Sequence, residues 1–148
     1  MSQPRVQLDT SIGYALKQAA AALRAAMDAA LRPLDLSVSQ YSCLELLGQR
    51  PGLSASDLAR GTFLTRQSMQ TLLAGLVERG LLERAATAAE GRALPIRLTE
   101  EGARLLAEAS AAVAAVEGAM VADLTPTGRR RLHDDLVGLA TALAGRPS

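Results

Sequence analysis

Gln67, Gln70 and Thr71 fall within the run LTRQSMQTLLAGLVERGLLER, residues 64–84, and each carries a group that donates or accepts hydrogen bonds. Side chains of that kind, set along one face of a helix, can read base edges in a major groove. Thr65 and Ser68 add hydroxyls, and the first turn of a helix adds free amides; both suit phosphate oxygens. Arg66 lies nearer the apolar flank by angle, yet at the start of a helix it reaches a phosphate or a guanine. Ala74 leaves the middle of the face slim, which lets a helix sit deep. Taken alone, the same residues also describe a core helix with a polar outside.

Catalytic chemistry finds little to work with. One His and one Cys are too few for a histidine-based metal site or a close Cys–His pair. Glu100 and Glu101 read as charges at a helix start rather than as paired carboxylates, and no glycine-rich phosphate loop is present. The expectation is no enzyme, no catalytic residue, no metal and no cofactor. Cys43 sits in YSCLELL with no adjacent base, as a buried structural thiol would; a redox-responsive regulator built on Cys43 is the alternative.

The polar residues need a helix beneath them, and the sequence supplies one. Met69, Leu72, Leu73, Leu76 and Val77 repeat at i, i+3, i+4, i+7, i+8, the spacing of an amphipathic helix. Thr65 caps it, and Gly80 ends it in a left-handed cap. Before it, Ser54 opens a short helix, Ala55 to about Arg60, with Asp57 completing a capping box. Residues 61–64 form the turn between the two. A helix before these runs from a cap at Ser39 to about Gly48. A long first helix spans Asp9 or Thr10 to Leu31, where Pro33 ends it. After the polar helix, residues 81–84 and 94–98 suit two strands joined by AATAAEGRA. Thr99 caps a long alanine-rich helix reaching about Asp123, and Thr125 with Pro126 starts the last one. The order predicts a mainly α fold with a small two-stranded β wing.

Composition limits the partners. The net charge of +1 excludes a strongly basic nucleic-acid binder but not a local patch. Between residues 54 and 98 the positives are Arg60, Arg66, Arg79, Arg84, Arg92 and Arg97, against Asp57, Glu78, Glu83 and Glu90. A single cysteine permits no intrachain disulfide, and no apolar run approaches the ~20 residues that cross a bilayer. The N-terminus lacks the apolar run of a signal peptide, so the expectation is a soluble cytoplasmic protein without a membrane partner. The core is expected to be Leu and Ala, since aromatics supply only 2 % of residues. Two stripes exceed what a small domain needs: Ile12, Leu16 and their repeats to Leu31, and Leu132, Leu136, Leu139 and Leu143. They predict a homodimer interface, packing within the chain being the alternative use.

SASDLA at 54–59, LVERGLLER at 76–84 and EGRALPIRLTEEG at 90–102 together resemble the winged helix-turn-helix of the MarR family of bacterial transcription regulators. The order of the remaining helices matches as well, so the resemblance covers essentially the whole chain. It implies a single subunit over 1–148, with a DNA-binding lobe at 39–102 and dimerisation helices at 8–32 and 103–146. It implies a homodimer on double-stranded DNA, most often a repressor, reading a near-palindromic operator. The expected DNA contacts are Ser54, Ser56, Thr65, Arg66, Gln67, Ser68, Gln70, Thr71, Arg84 and Arg92. In the family a wing acid orients the wing arginine; here that acid is Glu90 rather than Asp. Many relatives bind a small aromatic effector between lobe and dimerisation helices, for which Tyr14, Tyr41 and His133 are the polar candidates. A winged-helix module that binds proteins instead of DNA is the remaining alternative.

Overall fold

Ser11, not Asp9 or Thr10, starts the first long helix. Its hydroxyl accepts from the Tyr14 amide at 3.1 Å, and α1 runs Ile12–Leu31. Leu8–Thr10 form a separate 3-10 turn ahead of it. The helix stops where Pro33 demands, tightening into a 3-10 turn over Arg32–Leu34. Asp35 then adopts a left-handed φ of 55° and redirects the chain. The computed structural model describes residues 2–84 and 96–147.

Helix α2, Val38–Gln49, begins two residues earlier than the sequence suggested, capped by Ser37 rather than Ser39. Ser37 Oγ accepts from the Gln40 amide at 3.0 Å, and Gln40 Oε1 accepts from the Ser37 amide at 2.9 Å. Two otherwise orphaned amides are satisfied at once. Ser39 has only Ser42 three residues on, whose short side chain makes a poor return partner.

Helix α3, Ala55–Thr62, opens on the expected box between Ser54 and Asp57 but runs two residues beyond Arg60. Phe63 ends it in a left-handed conformation. Helix α4, Arg66–Glu78, starts on Thr65, whose Oγ1 accepts from the Ser68 amide at 3.1 Å. It ends at Gly80, φ 77°, with the Leu81 amide returning to the Leu76 carbonyl at 3.0 Å. Strand β1, Leu82–Arg84, pairs antiparallel with β2, Ile96–Leu98, so that Leu82 faces Leu98 and Arg84 faces Ile96. Thr99 fastens the exit: its hydroxyl donates to the Gly80 carbonyl at 2.6 Å and accepts from the Gly102 amide at 3.0 Å. Helix α5, Glu100–Met120, stops short of Asp123, because extended Thr125 and Pro126 already belong to the start of α6, Pro126–Ala144.

Residues Met1–Val116 and Glu117–Ser148 form two units. The first holds the core. Leu44, Leu58, Met69, Leu73, Leu76 and Leu82 are fully buried, joined by Leu31 from the end of α1 and by Leu106, Ala109 and Val113 from α5. Each fully buried Leu stabilises the fold by roughly 1.5–3 kcal/mol, so these side chains set α2, α3, α4 and the strand pair in place. The rest of α1 gains little from this core: Ile12 is 68 % exposed and Leu16 43 %. In the second unit α6 buries nothing, and Leu132, Leu136, Leu139 and Leu143 are all exposed. No helix among the described residues is long and apolar enough to cross a membrane.

Candidate nucleic-acid interface

Met69, Leu73 and Leu76 anchor α4 in the core and thereby fix which of its sides faces solvent. That outer side carries Thr65, Arg66, Gln67, Ser68, Gln70 and Thr71, all exposed. The Arg66 and Gln67 amides lie in the first turn, where no carbonyl four residues back belongs to the helix. Thr71 Oγ1 donates to the Gln67 carbonyl at 3.3 Å, which keeps its lone pairs as acceptors. The Thr65 hydroxyl accepts from Ser68 and retains its own proton to donate.

An open groove of about 630 Å³ runs beside this face, lined by Thr65, Gln67, Ser68 and Thr71 of α4 and by Ser37 and Gln40 of α2. Leu72 and Gly75 complete its lining. Sequence reasoning missed Ser37 and Gln40. Their signal was the Ser-x-x-Gln spacing of a capping box, obscured by the competing serine at 39.

Ser54 and Ser56 sit at the head of α3, Ser54 exposed and Ser56 half-buried. The Ser54 hydroxyl is engaged: it donates to Asp57 Oδ2 at 2.9 Å and accepts from the Asp57 amide at 3.1 Å. The Ser54 amide bond, then the Ser54 hydroxyl, hold the Asp57 carboxyl below its ordinary value, with Arg60 adding to the effect. Asp57 therefore stays ionised beside Ser54.

The arginines divide into engaged and unengaged groups. Arg60 pairs with Asp57, and Arg97 Nε with Glu83 Oε1 at 2.7 Å across the strand pair. Arg79 Nη1 donates to the Asp35 carbonyl at 2.8 Å, tying the end of α4 to the turn before α2. Arg66 and Arg84 have no ion pair among the described residues, and both are exposed. Among the described residues, Arg66 thus leaves an unneutralised guanidinium at the start of the polar face despite the small net charge. Arg92 and Glu90 lie outside the described residues.

The effector candidates differ in burial. Tyr41 is buried, its hydroxyl donating to Glu45 Oε1 at 2.9 Å, at the side of a hollow lined also by Ser42, Leu46, Gln49, Arg50 and Gly61. Tyr14 does not line that hollow. Tyr14 is 44 % exposed on α1, and His133, in the second unit, lies open beside Asp134 with 3.1 Å between Nδ1 and Oδ1. Cys43 is fully buried, and burial pushes its thiol up to about 12. A thiol so placed is neither ionised nor accessible, which argues against the redox alternative.

A family model described as the MarR family matches residues 34–93. The HTH-type transcriptional repressor Rv2887 of Mycobacterium tuberculosis (strain ATCC 25618 / H37Rv) is 40% identical over 122 residues, 82% of this chain and 88% of that protein. The crystal structure of the Mycobacterium tuberculosis MarR family protein Rv2887 in complex with salicylic acid matches with a TM-score of 0.72 at 39% identity, covering 88% of this chain and 97% of that one. The same protein's crystal structure in complex with DNA matches with a TM-score of 0.72 at 35% identity, covering 88% of this chain and 98% of that one.

Proposed function

The chain belongs to the MarR family of transcriptional regulators, and we propose that it works as a homodimeric repressor that reads a near-palindromic operator through α4. One observation carries this reading. The core buries one side of α4 and leaves Gln67, Gln70 and Thr71 exposed together on the other, with exposed Arg66 at its start. Gln67, Gln70 and Thr71 supply donors and acceptors for base edges. Thr65, Ser68 and the first amides of α4 hold phosphates, and Arg66 and Arg84 add charge. Ser54 and Ser56 approach the backbone from α3, with the Ser54 hydroxyl shared with Asp57. Arg92 reaches the minor groove from the wing, where a narrow groove attracts cations.

The exposed stripes of α1 and α6 supply the dimer contact through Ile12, Leu16, Leu132, Leu136, Leu139 and Leu143. A two-fold axis then sets two copies of α4 about 34–36 Å apart, one turn of DNA. A small aromatic effector that prefers the arrangement unable to bind DNA releases the operator. The relative bound to salicylic acid supports an aromatic carboxylate as the class. Tyr14 stands 44 % exposed on α1, Tyr41 must share its hydroxyl with Glu45, and His133 is the open candidate on α6.

Fluorescence anisotropy tests the reading. The duplex upstream of this protein's own gene is compared with a scrambled duplex as salt is stepped from low to physiological. Selective binding that weakens steeply with salt supports it. Equal binding of both duplexes at every salt, together with no preferred sequence in a random pool, contradicts it.

A further inference from the structure

The turn between α3 and α4 holds a residue that the fold alone does not favour there. Phe63 is 94 % exposed, the highest value among the exposed large hydrophobics of the described residues. Its backbone lies at φ 61°, ψ 34°, the left-handed region, where a Cβ is strained and glycine is not. Leaving a whole ring in water and holding a non-glycine residue left-handed both cost free energy. Glycine or asparagine would close α3 through the same amide, bonded to the Ala59 and Arg60 carbonyls, with neither cost.

The flanking residues are used by the fold. The Thr62 hydroxyl donates to the Leu58 carbonyl at 2.7 Å, and Leu64 packs against the core. Phe63 alone is turned out. It stands two positions before Thr65, the cap of the helix whose exposed side carries Arg66, Gln67, Ser68 and Gln70. It is therefore next in sequence to the start of the helix proposed to read DNA. A phenyl ring makes no hydrogen bond to base edges or phosphates; it gains by packing on apolar parts of the duplex. A residue just ahead of the cap of a groove-entering helix meets the edge of the groove, where the sugar–phosphate backbone passes. The deoxyribose ring is the apolar surface there.

We propose that Phe63 is an apolar DNA anchor, laying its ring on the deoxyribose of the strand that borders the groove entered by α4. The proposal rests on the reading of α4 as the DNA-facing helix. The contact is uncharged and blind to sequence, so it strengthens binding to any duplex without releasing further counterions.

The test compares wild-type protein with Phe63→Gly, Phe63→Asn and Phe63→Tyr on a selected and a scrambled duplex across a salt series, with thermal unfolding alongside. Gly and Asn both tolerate the left-handed backbone. They should weaken both duplexes alike, by on the order of tenfold, since each copy in a dimer loses part of a buried ring. The salt slope should stay as in wild type, the thermal midpoint should equal or exceed it, and Tyr should bind as wild type does. Gly and Asn variants that bind within about twofold of wild type would overturn the proposal. So would a loss confined to the selected duplex, which points to base reading, or one accompanied by a lower midpoint in both variants, which points to a structural role. Wild-type protein that prefers no duplex sinks the reading of α4 and this proposal with it; wild-type selectivity with unaffected variants sinks this proposal alone.

Discussion

Ser110 donates a 2.7 Å hydrogen bond to Glu45 Oε1, joining α5 to α2 across 65 residues of chain. The Tyr41 hydroxyl donates to the same oxygen at 2.9 Å, so one half-buried carboxylate holds two hydroxyls. Helix α2 brings Ser37 and Gln40 to the groove beside α4. The bond thus fixes an element that shapes the candidate interface.

Ser110→Ala should cost about 1 kcal/mol of stability, and Glu45→Ala about 2 kcal/mol because two donors lose their acceptor. Urea denaturation at one fixed protomer concentration measures both, since a dimer's stability depends on concentration. Unchanged midpoints would contradict the structural role of Glu45.

Gln70→Ala and Thr71→Ala should relax sequence preference. A good base contact is worth about 1–3 kcal/mol of discrimination, so the ratio of scrambled to operator Kd should fall by roughly fivefold or more. Arg92→Ala should weaken both duplexes evenly. Titrations on the two duplexes separate these roles, and equal loss of discrimination in all three variants would contradict the division.

Much of this face was legible because local chemistry decided it. The five apolar positions of α4 fix its buried side, and Thr65 caps it as its type suggests. Thr99 and Gly102 show why the end of the run EGRALPIRLTEEG is demanding: a Cβ on Gly102 would lie 2.0 Å from the Leu81 carbonyl oxygen. Where two local solutions competed, the return partner chose. Ser37 and Ser39 both look like caps, and only Ser37 has Gln40 to return the bond. Charge pairing was hidden because it depends on tertiary context. Arg97 meets Glu83 only once the strand register is set, and Arg79 meets Asp35 only once the turn before α2 is left-handed. Phe63 was invisible as a site because nothing in one sequence tells an exposed ring from a buried one.

Leu136→Glu combined with Leu139→Glu should separate the subunits. Both residues lie on α6, which has no buried residue in a single chain, so the charges disturb no core there. Burying two carboxylates at an apolar contact is costly, and the dimer Kd should rise by at least tenfold. Sedimentation velocity reads the result, with operator affinity falling in parallel. A variant that remains dimeric at the same concentration would contradict the assignment of α6.

Cys43 should resist Ellman's reagent in the native protein and react once urea unfolds it. Burial raises its value in the folded chain from 9.0 to about 12. Below the unfolded value both states hold the proton and this contribution is complete. As pH rises toward the folded value the unfolded chain ionises first, so stability falls. Cys43→Ala should flatten that alkaline decline between pH ~9 and ~11. Rapid native labelling, or DNA binding lost to mild peroxide in wild type but not in Cys43→Ala, would contradict the buried-thiol account.

The most direct test of the central claim is selection from a random-sequence duplex pool by the purified protein at physiological salt. The account predicts enrichment of a near-palindrome with half-sites about 10 base pairs apart, centre to centre, as two copies of α4 across a two-fold axis require. A pool that remains random after repeated rounds, from protein shown to be folded and dimeric, would contradict it.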